Sequence, residues 1–308
     1  MRPTRPISPA SRTSRGWREA NSSRRFWKSR RHTMAGRLSR NLGLYLSHAG
    51  LIGASLVVLL PILWVVRTSL ANRLIAYKIP PVWFFTPTLE NYRVIFQQYP
   101  FQQYFANSLM ISTVTSLVAL VLGSLAAYSI ARFKTGDPLL RLSMLSTQML
   151  PPITLVIPIF LLARLARLWD NPLGLILAYL SFNLPYTIWI LISFFQSIPV
   201  DLEEAAMIDG CSRVQALWHV VAPVSLPGLL AAGIFNFILN WNEFLFALIL
   251  TGRTTRTLPV AISAFWTQQG VQIGAVSSAT VLIIVPVIAL TFIIQKSLVR
   301  NLTFGSIK

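Results

Sequence analysis

Negative charge is scarce in this chain, with nine Asp and Glu among 308 residues against 27 Lys and Arg. Cysteine is nearly absent: Cys211 stands alone, so no internal disulfide and no multi-cysteine metal site can form. Three histidines, His32, His48 and His219, are scattered and offer neither a metal site nor a Ser-His-Asp arrangement. No G-x-x-x-x-G-K-S/T occurs, so the usual cradle for nucleotide phosphates is missing. Charged residues of both signs make up 12% of the chain, where soluble domains carry about 25%. These shortages exclude ordinary globular, disordered and collagen-like classes.

What is abundant is apolar: 54% of residues are hydrophobic and the mean hydropathy is +0.59. Runs of 18 or more mostly apolar residues are long enough to cross a bilayer as helices. Six such runs occur, at about 44–66, 108–131, 142–163, 173–196, 225–250 and 276–295. The third contains Pro151, Pro152 and Pro158, which interrupt a helical hydrogen-bond ladder and mark either a hinge or a static kink. The runs do not alternate in polarity, as strands of a membrane barrel would. The expected fold is an all-α integral membrane protein of six spans, residues 44–296.

The placement of Lys and Arg gives the orientation. Residues 1–43 hold twelve basic residues against Glu19 alone, and a basic tail beside an apolar span marks the cytoplasmic side more simply than nucleic-acid binding does. Both termini, the connection 131–141 and the connection 197–224 are then cytoplasmic, with 297–308 a short C-terminal tail. Residues 67–107, 164–172 and 251–275 lie outside. The first apolar run is too long for a cleaved signal peptide and lacks a cleavage site. Residues 1–33 are Arg-, Ser- and Pro-rich and expected to be disordered; Met34 is an alternative start, because MAGRLSR supplies inside charges by itself.

The connection 197–224 holds four of the nine acids. Pro199 suits a helix start. Asp201, Glu203 and Glu204 fall where a helix dipole favours negative charge, and Ala205 and Ala206 leave a bare surface. Gly210 suits a left-handed helix end, and Ser212 with Gln215 has capping-box spacing for a second helix. Val214, Leu217, Trp218 and Val221 recur at the spacing of one apolar face. Two short helices joined at a glycine follow, with an acidic edge. Such a unit either packs on its own bundle or meets a basic protein partner; the acids oppose resting on an anionic leaflet.

These residues resemble a known family. Glu204-Ala205-Ala206, then Gly210, Val220 and Pro223, follow the EAA signature of ABC-importer permeases, with Val220 in place of the usual Ile, Ala222 in place of Leu and Cys211 in place of Ala. EEAAMIDGCSRVQALW and WNEF (241–244) resemble its sugar-uptake, MalG-like branch, over roughly residues 40–308. The resemblance implies the six-transmembrane-helix ABC type I importer permease (MetI-like/MalG-like) fold in a bacterial inner membrane. It implies a second homologous permease, two ABC ATPase subunits, an external solute-binding protein and a sugar cargo of the maltose or trehalose kind. ATP and Mg would sit on the ATPase subunits, with no cofactor bound by this chain and no covalent catalysis. The ATPase-coupling residues would be Glu203, Glu204, Ala205, Ala206, Asp209, Gly210, Leu217, Trp218 and Pro223.

Polar residues inside spans are costly and draw attention to function. Asn236, Asn240 and Glu243, at i, i+4 and i+7, would share a face; they either line a translocation pathway or act as packing glue between helices. Gln148 and Asn183 are expected to be buried polar contacts. In the connection 251–275, Arg253, Arg256, Trp266, Gln268 and Gln269 are candidate contacts to the binding protein, the alternative being a plain solvated loop. The rival function is a secondary, ion-coupled transporter, but the two halves show no repeat.

Overall fold

The computed structural model describes residues 43–136, 138–263, 265–267 and 270–304. The basic tail up to residue 42, Met34 with it, and residues 305–308 lie outside the described residues, as do Gln268 and Gln269. The chain divides into two compact units, residues 1–64 and 65–308. The described part of the first unit is helix, the start of α1 (Gly43–Ser69).

In the second unit, α2 (Arg73–Ala76) and α3 (Glu90–Gln98) precede the long α4 (Phe101–Phe133). Helices α5 (Pro138–Met149), α6 (Pro152–Leu165) and α7 (Pro172–Gln196) follow. The next segment is α8 (Asp201–Ile208), α9 (Arg213–Ala216), a π-turn over Leu217–Val221 and α10 (Ala222–Val224). Then come α11 (Leu226–Trp241), α12 (Leu245–Leu250) and α13 (Leu258–Ser263), an antiparallel pair of two-residue strands, β1 (Trp266–Thr267) and β2 (Gly270–Val271), and finally α14 (Ile273–Phe304).

Four helices are long and apolar enough to cross a membrane: Gly43–Ser69, Phe101–Phe133, Pro172–Gln196 and Ile273–Ile293. Two bent pairs bring the number to as many as six. The expected third span is therefore not one rod. It is Leu142–Met149 and Pro152–Leu165, meeting at 95°. The cause is the Pro151-Pro152 pair: Pro151 has extended backbone (ψ 124°) and Pro152 opens the new helix, where its missing N–H costs nothing. Pro158 sits inside α6 without ending it. The expected fifth span is also divided. Its helix ends at Trp241, and Asn242, Glu243 and Phe244 separate it from α12. At its other end, Arg213–Val224 meets Leu226–Trp241 at 81°.

Helices α4 and α7 form the most extensive helix pair, with α11 next against α4. The middle of the buried side of α4 is rich in small residues, Ser108, Ser112, Ser116, Ala119, Gly123 and Ala127. Where lipid is as apolar as leucine, close approach of backbones replaces the hydrophobic effect as the reason for helices to associate. A Cβ on Gly123 would lie 2.9 Å from the Thr187 Cγ2 of α7. A tighter contact occurs at the start of α7, where a Cβ on Gly174 would lie 2.2 Å from the carbonyl oxygen of Leu168. Backbone cannot swing aside as a side chain can. Gly174→Ala should therefore lower the thermal midpoint of the detergent-purified protein by an overpacking cost of about 1–3 kcal/mol; an unchanged midpoint would show that the corner is plastic.

Candidate functional site

The segment between α7 and α11 is the expected pair of short helices. Helix α8 carries Asp201, Glu203 and Glu204 in its first turn. Pro199 does not open it; it lies two residues ahead, and Val200 takes the cap position. The helix closes in a Schellman arrangement: Cys211 N donates to Ala206 O (3.0 Å) and Gly210 N to Met207 O (3.1 Å), with Gly210 at φ 94°. The Ser212–Gln215 capping box is complete: Ser212 N donates to Gln215 Oε1 (2.7 Å) and Gln215 N to Ser212 Oγ (3.3 Å).

The π-turn divides the expected apolar face. Ala222 N donates to Leu217 O, five residues back, and this wider turn shifts the stripe. Leu217 and Val221 enter the core beside Ile130, Leu191 and Phe195, while Val214 and Trp218 stay exposed. Leu217 is thus seated inside the chain rather than on a coupling surface. The same holds for Ala206, which is buried, whereas Ala205 is exposed. The exposed surface of this knuckle comprises Asp201, Glu204, Ala205, Ile208 (85% exposed), Asp209 and Gly210, with Trp218 and Pro223 beyond.

Glu203 departs most from expectation. It faces inward, and its side chain and that of Arg132 are 6% and 8% exposed. Arg132 Nε donates to Glu203 Oε1 at 2.5 Å, and Tyr128 Oη donates to Oε2 at 2.7 Å. Arg132 also donates to Ile198 O (3.0 Å), just past the end of α7. Arg213 of α9 stands over the Phe133 ring at 5.1 Å. One ion pair thus joins the C-terminal end of α4, the C-terminal end of α7 and α8. Removing one partner of such a buried pair costs about 3–5 kcal/mol, because the other charge is left uncompensated. Sequence reading missed Arg132 because it looks like one more inside-positive residue.

The polar stripe of α11 is also interior. Asn236 (0% exposed) donates to Thr187 Oγ1, and Asn240 donates to Ser116 Oγ (3.1 Å) and to Asn236 Oδ1 (3.0 Å). Asn183 donates to Asn240 Oδ1. Helices α4, α7 and α11 are bonded together by this network, in which Asn236 and Asn240 are buried. Glu243 is not on their helix face, because the helix ends before it. Its two carboxylate oxygens accept from Phe246 N (2.9 Å) and Ala247 N (3.1 Å), capping α12. Gln148, expected to be buried, is exposed and donates to Phe182 O (2.8 Å).

At the N-terminal end of α7, Asp170 organises the segment after α12. It has φ 53°, a conformation Asp tolerates better than most residues. Its Oδ1 accepts from Gly252 N (2.8 Å), Thr255 N (3.0 Å) and Thr255 Oγ1 (2.6 Å), and Oδ2 from Thr254 N (3.3 Å). From α4, Gln103 and Asn107 donate to Thr254 O (both 2.9 Å) and Asn107 also to Arg256 O (3.0 Å). The segment held between them displays Arg253, exposed, and Arg256, half-buried. The Trp266 backbone belongs to β1.

Burial alone would push the Asp170 carboxyl up, but the bonds from Thr255, Gly252 and Thr254 outweigh it and hold the group well below the usual carboxylate range. A carboxyl that titrates lower in the native state stabilises it fully above its unfolded value of about 3.9, and the contribution fades as pH falls through the lower native value. Asp170→Asn should keep the left-handed backbone while weakening the charge-assisted bonds, lowering stability by about 1–2 kcal/mol at neutral pH. The variant should also lose part of the wild-type decline in thermal midpoint below about pH 4. Superimposable pH profiles for the two proteins would refute the clasp.

With this geometry in place, the sequence matches the profile of the family described as "Binding-protein-dependent transport system inner membrane component" over residues 119–304. It is similar to the trehalose transport system permease protein SugB of Mycobacterium tuberculosis, 40% identical over 81% of this chain and 92% of that protein. It is also similar to the sulfoquinovosyl glycerol transport system permease protein SmoH of Agrobacterium fabrum, 38% identical over 83% of this chain and 92% of that protein. Among solved structures, the crystal structure of a bacterial ABC transporter involved in the import of the acidic polysaccharide alginate matches with a TM-score of 0.67. It is 24% identical, covering 82% of this chain and 95% of that one.

Proposed function

The chain belongs to the family of binding-protein-dependent transport inner-membrane components, and we propose that it is one of two permease subunits of an ATP-driven sugar importer. In this reading the 197–224 segment faces the cytoplasm and docks on an ATPase subunit. The supporting observation is the split character of α8 and α9. One side is locked into the bundle through Glu203, Leu217 and Val221, and the other leaves Glu204, Ala205, Ile208, Val214 and Trp218 to a partner. An exposed apolar surface rimmed by acids suits a protein cleft with basic groups. Hydrolysis of ATP with Mg belongs to the ATPase pair; when it closes, the docked knuckle moves and the spans follow as rigid bodies.

The opposite end, where Arg253 and Arg256 sit on the segment that Asp170 holds through Gly252, Thr254 and Thr255, would then face the solute-binding protein. SugB and SmoH serve different glycosides in their own organisms at nearly the same identity to this chain. We therefore take the cargo to be a glycoside selected by the binding protein. A second homologous permease would supply the other half of the pathway.

Glu204→Lys reverses the charge on the exposed edge and should abolish copurification of the ATPase while leaving the protein inserted in the membrane. Wild-type ATPase association and uptake in that variant would refute the docking surface. Gly210→Val places a β-branched residue at φ 94° and should cost about 1 kcal/mol or more in the interhelix turn, lowering uptake; unaltered uptake would show that the turn geometry does not matter. Uptake that survives ATP depletion but collapses with the proton gradient would favour the ion-coupled alternative.

A further inference from the structure

The Glu203–Arg132 ion pair is the only salt bridge among the described residues. It lies on the side of α8 turned away from the exposed acidic edge, since Glu204 and Ala205 are exposed while Glu203 and Ala206 are buried. Burying two charges is expensive, and apolar side chains of similar volume would serve stability equally well or better. The pair has three attachments that a simple core contact would not need. Arg132 reaches the Ile198 carbonyl, Tyr128 reaches the second Glu203 oxygen, and Tyr128 in turn meets Phe195 and Phe133 edge-on. Tyr128 and Arg132 are one helical turn apart on α4, so both donors grip the same carboxylate from one face.

We infer that Glu203 and Arg132 are positioning residues for energy transfer: they bolt α8 to the ends of α4 and α7, so that a displacement of the knuckle is delivered first to the α4–α7 pair. The route to α11 is less direct. Helix α8 is joined to α11 through the π-turn and α10, and that path bends by 81° at Ser225. A bent connection yields under load, whereas a bidentate carboxylate held by a guanidinium and a phenol in a dry site resists both shear and rotation. The separation of tasks along one helix turn follows: Glu204 meets the partner, and Glu203 holds the chain's own spans. This inference rests on the docking role proposed above.

The test uses the complete transporter, reconstituted in vesicles with its ATPase and binding protein, and compares Glu203→Gln, Arg132→Glu and the charge-swapped pair Arg132→Glu with Glu203→Arg. Glu203→Gln keeps shape and should retain the ATPase subunits. The ratio of solute imported to ATP hydrolysed should fall roughly tenfold or more, with ATP hydrolysis less dependent on the loaded binding protein. The swapped pair should recover part of that ratio. A merely structural role would reduce assembly and leave the ratio of the surviving complexes unchanged, and that result would overturn the inference.

Should Glu203→Gln fail to assemble, spin labels decide the matter. With Cys211 replaced by Ser, labels at Lys134 and Leu202 report the separation of α4 and α8 in nucleotide-free and ATP-trapped states. An unchanged distance supports a single body; a shift beyond the width of the distribution overturns it. The two proposals fail separately. Normal docking of Glu204→Lys removes the coupling surface, whereas a wild-type ratio in Glu203→Gln beside a defective Glu204→Lys removes only the bolt.

Discussion

Close approach of α4 to α7 is the constraint on which the rest of this structure hangs. In a bilayer no hydrophobic force drives two apolar helices together, so their association needs small side chains and internal hydrogen bonds. The Ser/Ala/Gly face of α4 supplies the first, and the Asn183–Asn240–Asn236–Thr187 network with Ser116 supplies the second while drawing in α11. Once this pair is fixed, each end of it carries a device. At one end Asp170 holds the segment after α12, and at the other Arg132 holds α8.

The chain keeps few acids, and the structure accounts for three in different ways. Asp170 is bonded by backbone N–H groups and a threonine hydroxyl, Glu203 by an arginine and a tyrosine, and Glu243 by the two free N–H groups at the start of α12. Each solution satisfies the carboxylate locally, because an unsatisfied one away from water is too costly to keep. Each of these three is turned to the chain's own groups. Asp201, Glu204 and Asp209 remain at the surface of the knuckle, which is why the acidic edge is narrower than the count of acids in that segment suggests.

Much of this was legible in the sequence. The glycine-centred knuckle and the capping box are written in local signals, namely Gly210 and the Ser212–Gln215 spacing. The bends were harder. Pro151-Pro152 announced an interruption, but not the 95° angle at which the two helices meet. Glu203 was read with Glu204 because adjacent residues of one sign look alike in sequence, whereas a helix turns neighbours by about 100° and sends one inside. The Val214–Leu217–Trp218–Val221 face failed because a π-turn changes the period, and no residue in it advertises one. Asp170 was overlooked because its partners lie more than eighty positions away.

The division between Glu203 and Glu204 has a mechanical rationale. A coupling element must bind its partner on one side and its own spans on the other, and the weaker joint sets how much displacement is transmitted. Surface ion pairs in water contribute little and exchange quickly, so an exposed acidic edge alone would slip. A desolvated pair does not, provided all its donors and acceptors are used. Here both Glu203 oxygens are bonded, the Arg132 guanidinium also reaches the Ile198 carbonyl, and Phe133 and Phe195 meet Tyr128 edge-on beside the joint. If the pair is the bolt proposed above, the burial cost of Glu203 and Arg132 is offset by stiffness rather than by stability, and no other ion pair occurs among the described residues.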